Sequence, residues 1–189
     1  MKISTFLLAS FFIIFGIKVA QASSQAEKQV EEFVSSCFKA VGAKRWQNHA
    51  ECYEKAGLTE YQNLYLELMS RDQELVPPEF SEYYKQEMTI EKLRALKPTE
   101  FFAAFLGGTI ARLEARGGFK QGPLLFEIAS ITKNTEGKYH VVFHSTARLI
   151  QGNKTHESRK TEVTTVLFQD GKPYIELPKQ MIDLLKIRK

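Results

Sequence analysis

Glu162 is the best candidate in the sequence for acid–base chemistry, because it is a carboxylate in a segment where polar and apolar residues alternate. The alternation puts Glu162 on the apolar face of a strand, opposite Phe143 and between Lys160 and Thr164. A carboxyl group among apolar side chains has a raised pKa and can serve as a general base. Tyr139 shares this face. These five residues form the predicted ligand pocket, in which Lys160 would pair with a bound anion.

A second interpretation of Glu162 is structural. His156, Ser158 and Lys160 lie on the same face, and all three are polar. On this interpretation the sheet extends past the helices at this point, and the carboxylate is solvated rather than catalytic.

Two histidines, His140 and His144, have a spacing that would chelate a metal on a helix. The surrounding residues predict a strand, however, and four residues of strand span about 13 Å, too far for one ion. Both histidines also fall on the face opposite the apolar one. The sequence has no zinc-protease, nucleophile-elbow, Walker or redox cysteine-pair motif. We therefore expect exposed histidines, no metal site and no cofactor.

The two cysteines, Cys37 and Cys52, stand equally far from a turn near Lys44 and Arg45. In an antiparallel helical hairpin such positions can face each other. A disulfide that closes a loop of about 15 residues stabilises a protein by roughly 3 kcal/mol in the chain-entropy model. The alternatives are a metal site with His49, which would need further ligands, and a thiol nucleophile. We expect the disulfide.

The first 22 residues are organised like a signal peptide. Lys2 supplies a positive charge, residues 6–17 form an apolar run, and Ala-Gln-Ala at residues 20–22 offers a cleavage site. A membrane anchor is the weaker alternative, because a spanning helix needs about 20 apolar residues and Lys18 ends this run. We expect an exported protein, periplasmic or secreted, with residues 23–189 as a single domain.

Charge and composition exclude two classes of protein. The formal net charge is +4 and falls when Lys2 and Lys18 leave with the signal, which is too little for a nucleic-acid-binding face. Hydrophobic residues make up 43% of the chain, so a packed core is expected rather than disorder.

Residues 26–110 predict helices. Apolar residues recur every three or four positions from Val30 to Val41, and Gly42 marks the end of this first helix. Local signals divide the remainder: a stop at Gly57, a capping box at Thr59 and Gln62, a break at Pro77 and Pro78, a cap at Thr89, a start at Pro98, and a weakened end at Gly107 and Gly108. Residues 116–123 are expected to be a linker.

From Leu124 onwards the period changes to two and predicts four strands, at about 124–132, 138–150, 155–168 and 173–177. Gly152-Asn153 suits a type II′ turn and Asp170-Gly171 a type I′ turn. The two turns set a register that pairs Arg148 with Glu157, Val142 with Val163, Tyr139 with Val166, Val166 with Ile175 and Thr164 with Leu177. Helices followed by strands predict an α+β fold, with helices packed on one face of a curved antiparallel sheet.

This arrangement resembles the nuclear-transport-factor-2-like, or cystatin-like, superfamily. The resemblance rests on the amphipathic first helix, the helical region at residues 88–102 and the terminal strands. It implies a curved sheet that encloses a cone-shaped pocket, in a superfamily of dehydratases, isomerases, cyclases and non-catalytic members. No catalytic set of that superfamily matches this sequence, so none is carried over.

The C-terminal residues 178–189 predict a short amphipathic helix with a basic end. It is expected to cap the domain, and contact with a membrane surface is the alternative. Asn153-Lys154-Thr155 matches a glycosylation sequon, which matters only in a eukaryote.

These observations predict an exported, non-catalytic domain that binds a small apolar ligand or a protein partner. The alternative is an enzyme of the isomerase or dehydratase type, with Glu162 as general base and Tyr139 nearby in a cone-shaped pocket. A structural envelope protein that uses its tail is a third hypothesis. A homodimer through the sheet face is also considered, and no nucleic-acid partner is expected.

Overall fold

The computed structural model describes residues 24–71, 76–117, 120–122 and 124–187, so the predicted signal peptide lies outside the described residues. The described helices are α1 (Gln25–Gly42), α2 (Trp46–Ala50), α3 (Lys55–Arg71), α4 (Pro78–Tyr84), α5 (Ile90–Ala95), α6 (Pro98–Gly117) and α7 (Lys179–Ile187). The strands are β1 (Lys120–Gln121), β2 (Leu125–Lys133), β3 (Tyr139–Gln151), β4 (Lys154–Gln169) and β5 (Lys172–Ile175). The predicted α+β class is confirmed.

Helix α1 begins at a capping box. Ser24 Oγ accepts a hydrogen bond from the backbone N–H of Glu27, and the Glu27 side chain accepts one from the backbone N–H of Ser24. The apolar stripe then buries Val30, Val34 and Phe38 against the sheet. Helix α1 is therefore the element that covers one face of the sheet.

The turn between α1 and α2 joins the two cysteines. Lys44 adopts a left-handed backbone conformation with φ of 55°, which lets the chain reverse within a few residues. Cys37 and Cys52 are then disulfide-bonded, with their Cα atoms 6.1 Å apart. The predicted disulfide is confirmed.

The start of α3 differs from the predicted one. The helix begins at Lys55 and runs through Gly57, and Thr59 Oγ1 donates to the Lys55 carbonyl instead of capping an N-terminus. The reason is tertiary, because Leu58 is fully buried and belongs to the first turn of this helix. The predicted cap at Thr89 is confirmed, since its hydroxyl accepts from the Lys92 N–H.

Gly107 and Gly108 do not end α6 and lie well inside it. A Cβ atom on Gly108 would stand 1.9 Å from the carbonyl oxygen of Glu79, and one on Gly107 would collide with Trp46 and Tyr83. The two glycines let α4 and α2 approach the backbone of α6 closely. The prediction of a weakened end was wrong, because packing outweighs the low helix propensity of glycine.

The predicted register is confirmed for four of the five predicted pairs, while the fifth, Thr164 with Leu177, lies beyond the end of β5 at Ile175. Arg148 lies opposite Glu157, Val142 opposite Val163, and Val166 opposite Ile175. Gly152 has a positive φ of 58° and Asn153 does not, as a type II′ turn requires. Asp170 and Gly171 both have positive φ, as a type I′ turn requires. The prediction succeeded because the turns are set by local stereochemistry.

Part of the predicted linker is a strand. Lys120 and Gln121 form β1, which pairs with Ile150 and Leu149 of β3. Strand β2 pairs with β3 further along the same edge, with a bulge between Ile128 and Ser130. Two residues are too short for an alternating pattern, so the sequence carries no periodic signal for β1.

Two apolar cores divide the molecule. One lies between α1 and the sheet, and the other lies among helices α2 to α7. Ile182 and Leu185 of α7 are buried in the helical core, and Lys186 pairs with Glu60 of α3 at 2.8 Å. The C-terminal helix therefore caps the domain, as predicted. None of the described helices has the length and hydropathy to cross a membrane.

Candidate functional site

Two of the five predicted pocket residues belong to the core between α1 and the sheet. Tyr139 is 5% exposed and Phe143 is 6% exposed. The ring of Phe38 from α1 lies 4.4 Å from the ring of Phe143 and 4.5 Å from that of Phe126, measured between ring centres. Aromatic side chains thus fill the space beneath α1 at these positions.

The other three predicted residues lie towards the free end of the sheet. Lys160 and Glu162 are exposed, and Thr164 is half-buried. The Ser145 hydroxyl donates to Glu162 Oε2 at 2.7 Å. All of residues 154–163 are exposed, because β4 extends beyond the part of the sheet that α1 covers. This geometry agrees with the structural interpretation of Glu162, whose catalytic role stays a prediction.

The structure does not bring Tyr139 beside Glu162. Glu162 pairs with Phe143, which is four residues along β3 from Tyr139, a distance of about 13 Å along the strand. Tyr139 instead packs against Phe168, with ring centres 5.8 Å apart, and Lys133 Nζ lies 5.6 Å from the Tyr139 ring centre. Tyr139 is therefore too far from Glu162 to act in the same reaction step.

His49 and Tyr53 form a hydrogen-bonded pair near Glu162 that the sequence did not predict. His49 Nδ1 lies 3.2 Å from the Cys37 carbonyl oxygen, and His49 Nε2 lies 3.3 Å from the Tyr53 hydroxyl. Because the carbonyl can only accept, Nδ1 carries the proton and Nε2 accepts from the tyrosine. The negative charge of Glu162 acts on Tyr53 from the sheet side.

Burial favours the neutral forms of both His49 and Tyr53. Burial lowers the pKa of His49, and the hydrogen bond to the Cys37 carbonyl offsets part of this lowering. Burial, followed by the charge of Glu162, raises the pKa of Tyr53 to about 12. At neutral pH the tyrosine is therefore a hydrogen-bond donor and not a base, and the pair braces the disulfide-bonded helical hairpin. Its only signal in the sequence was a histidine and a tyrosine four residues apart in a helical stretch.

The opposite face of the sheet is uncovered by the described residues. We call it the outer face, and its central residues are His140, Val142, His144, Thr161, Val163, Thr165, Leu167 and Tyr174. None of these side chains belongs to either core. Val163 is 62% exposed and lies where β4 is the edge strand of the sheet. The outer face is thus an apolar centre bordered by hydroxyl and imidazole groups.

The outer-face histidines pair with threonines across the strands. His140 Nδ1 lies 3.2 Å from Thr165 Oγ1, and His144 Nδ1 lies 3.0 Å from Thr161 Oγ1. The described residues contain no group of three or more histidine, cysteine or acidic side chains able to hold a metal ion. Both histidines lie on β3 and on the face opposite the core, as predicted, but each is half-buried rather than exposed.

A broad, open groove of about 800 Å³ runs along α3 and is the place to consider for a small ligand. Lys55, Glu60, Asn63 and Glu67 line it together with Gln169 from the end of β4. Its rim is charged and it lies open to solvent, unlike the enclosed apolar sites that small apolar ligands prefer.

Comparison with profiles of known protein families, with curated protein sequences and with solved structures gives no match for this chain.

Proposed function

We propose that this protein is an exported, non-catalytic domain that binds a protein partner through the outer face of its sheet. The observation that carries the proposal is Val163, a large apolar side chain that is 62% exposed on the uncovered face of the sheet, beside Val142 of β3. Apolar side chains grouped on a face without cover are typical of interaction surfaces. Export is supported by the Cys37–Cys52 disulfide, which forms in oxidising compartments.

The chemistry of the outer face indicates what kind of partner it fits. Val142, Val163 and Leu167 offer apolar contact, and Thr161 and Thr165 border them with hydroxyl groups. The surface is a pleated sheet, and the cleft of about 250 Å³ that Val163 and Thr165 line with residues 176–179 is smaller than the usual site of a small ligand. A folded protein with its own flat apolar patch therefore matches the face better than a small molecule. Aromatic rings already occupy the space beneath α1 where a small apolar ligand would bind.

The proposed resemblance to the nuclear-transport-factor-2-like superfamily has one supporting feature here. A long first helix packs on the inner face of a curved antiparallel sheet, as that superfamily implies. The superfamily includes non-catalytic members, so the resemblance is compatible with a binding domain.

A catalytic alternative keeps Glu162 as general base, and one observation favours it. The carboxylate is held by Ser145 at 2.7 Å, and its charge acts on the buried phenol of Tyr53, so acidic and hydroxyl groups do meet here. Exposure of Glu162 to water weakens this alternative, because a solvated carboxylate lacks the desolvation that makes a strong base.

The proposal is tested by a photo-reactive amino acid placed at position 163 in the exported protein. We expect a defined partner to be cross-linked from position 163 and not from position 63, an exposed site on α3. With the partner purified, Val163→Asp should weaken binding at least about tenfold, because a charge would be buried in the interface. Asn63→Asp is the control and should leave the affinity unchanged. Equal binding by the Val163→Asp variant would refute the proposal.

A further inference from the structure

Strand β4 has a long free edge. On one side it pairs with β3 from Lys154 to Val166. On the other side β5 pairs only with residues 166–169, and the Glu176 N–H adds one bond to the Thr165 carbonyl. Within the described ranges, nothing pairs with this side of residues 154–163.

The direction of the unpaired backbone groups follows from that last bond. Because the Thr165 carbonyl points away from β3, the alternation of an antiparallel ladder turns the backbone groups of every other residue the same way. Thr155, Glu157, Arg159 and Thr161 therefore present their N–H and C=O groups to solvent. Such a row is a template for another strand.

The other edges of the sheet are poorer templates. Strand β2 carries a bulge between Ile128 and Ser130, which interrupts its ladder and twists its edge. Strand β5 is four residues long and contains Pro173, which has no N–H to donate. Of the described edges, β4 offers the long uninterrupted one.

We infer that this edge binds the same edge of a second copy of the chain. Two β4 strands would pair antiparallel about a two-fold axis at Ser158, the middle of the stretch from Lys154 to Glu162. This register forms about eight hydrogen bonds between the copies, two for each pair of opposed residues that face the edge. It goes beyond the proposed function, because it concerns the sheet edge and not the outer face.

Charge complementarity selects Ser158 as the centre. Glu157 then lies opposite Arg159 of the second copy, and Lys154 lies opposite Glu162 of the second copy, each pair occurring twice by symmetry. Opposite charges in directly facing positions stabilise a sheet, and like charges destabilise it. A centre at Glu157, Arg159 or Lys160 would instead place two identical charges face to face on the axis.

The ion pairs within each copy extend the same pattern. Arg148 Nε lies 2.9 Å from Glu157 Oε2, and Arg159 Nη2 lies 3.1 Å from Glu127 Oε2. Pairing Glu157 with Arg159 of the second copy would join these pairs into rows of alternating charge across both sheets. On the inner face, Glu162 would gain a lysine partner in addition to its bond from Ser145.

Cysteine cross-linking tests the register directly. In this dimer Ser158 faces itself across a pair without hydrogen bonds, where Cα atoms lie about 4.5 Å apart, within the range of a disulfide. Ser158→Cys should therefore yield a covalent dimer on mild oxidation, seen by non-reducing electrophoresis. Lys160→Cys is the matched control, because the two sites would be about 13 Å apart. Equal cross-linking at both positions would overturn the register.

A charge exchange tests the association itself by sedimentation equilibrium. Arg159→Glu should weaken the dimer at least about tenfold, because two attractive pairs become repulsive. The double variant Glu157→Arg with Arg159→Glu should restore it, although Arg148 and Glu127 of each copy then face like charges at positions 157 and 159. A protein that stays monomeric at about 100 μM would refute the inference and leave partner binding by the outer face untouched.

Discussion

The environment of Glu162 is decided by how far the helices reach along the sheet. Its strand neighbour Phe143 is buried under α1, while Glu162 itself is exposed and held by Ser145. A single step from one strand to the next thus separates a core residue from a surface residue.

We predict that Glu162→Gln changes the free energy of unfolding by no more than about 0.5 kcal/mol, because the side chain is solvated. Phe143→Ala, directly opposite, is the matched control and should cost about 3–5 kcal/mol through the cavity that it leaves. Urea denaturation near neutral pH measures both. A clearly stabilised Glu162→Gln variant would indicate a desolvated carboxylate and favour the catalytic alternative.

His49 predicts a dependence of stability on pH. Its folded pKa lies below the ordinary value of about 6.5, so the unfolded chain binds the proton more readily. The contribution of His49 is fully present above pH 6.5 and is lost as the pH falls through the window between the unfolded and folded pKa values. The slope in this window is at most about 1.4 kcal/mol per pH unit.

His49→Gln should flatten this part of the profile, since glutamine keeps a polar group near Tyr53 and does not titrate. Urea denaturation of both proteins between about pH 5 and 8 measures the difference. Parallel profiles would show that the pKa of His49 is the same in the folded and unfolded states, and would contradict this prediction.

At the scale of elements, short-range chemistry and close packing act separately. The β3–β4 and β4–β5 turns follow from glycine at positions of positive φ, at Gly152 and Gly171. Gly108 serves another purpose, since its missing side chain admits the backbone of α4 against α6. Glycine therefore has a local role in the turns of the sheet and a long-range role in the packing of the helices.

The disulfide between α1 and the turn that follows α2 should stabilise the domain by about 3 kcal/mol, because it closes a loop of 15 residues in the unfolded chain. The double variant Cys37→Ser with Cys52→Ser should show this loss in guanidinium denaturation. Adding a reductant to the wild type should reproduce it and should not affect the variant. A loss near zero would mean that the packing of α1 on the sheet alone holds the hairpin.

For the whole molecule, the N-terminus of the mature protein is the feature that reports export. Residues 1–22 lie outside the described residues, and α1 is capped at Ser24, close to the predicted cleavage site. We predict that the exported protein begins at or near Ser23, because the Ala-Gln-Ala sequence follows a short apolar run. Sequencing from the N-terminus checks this. Recovery of the protein with Met1 intact in the membrane fraction would contradict it.

The sequence by itself determined the α+β class, the register of β3, β4 and β5, and the disulfide. These features follow from periodicity, turn stereochemistry and symmetric spacing, which act between residues near in the chain. The tertiary structure decided that Glu162 is exposed, that His49 and Tyr53 form a buried pair, and that β1 joins β3. Burial depends on which distant elements pack together and where they end, and no local pattern encodes that.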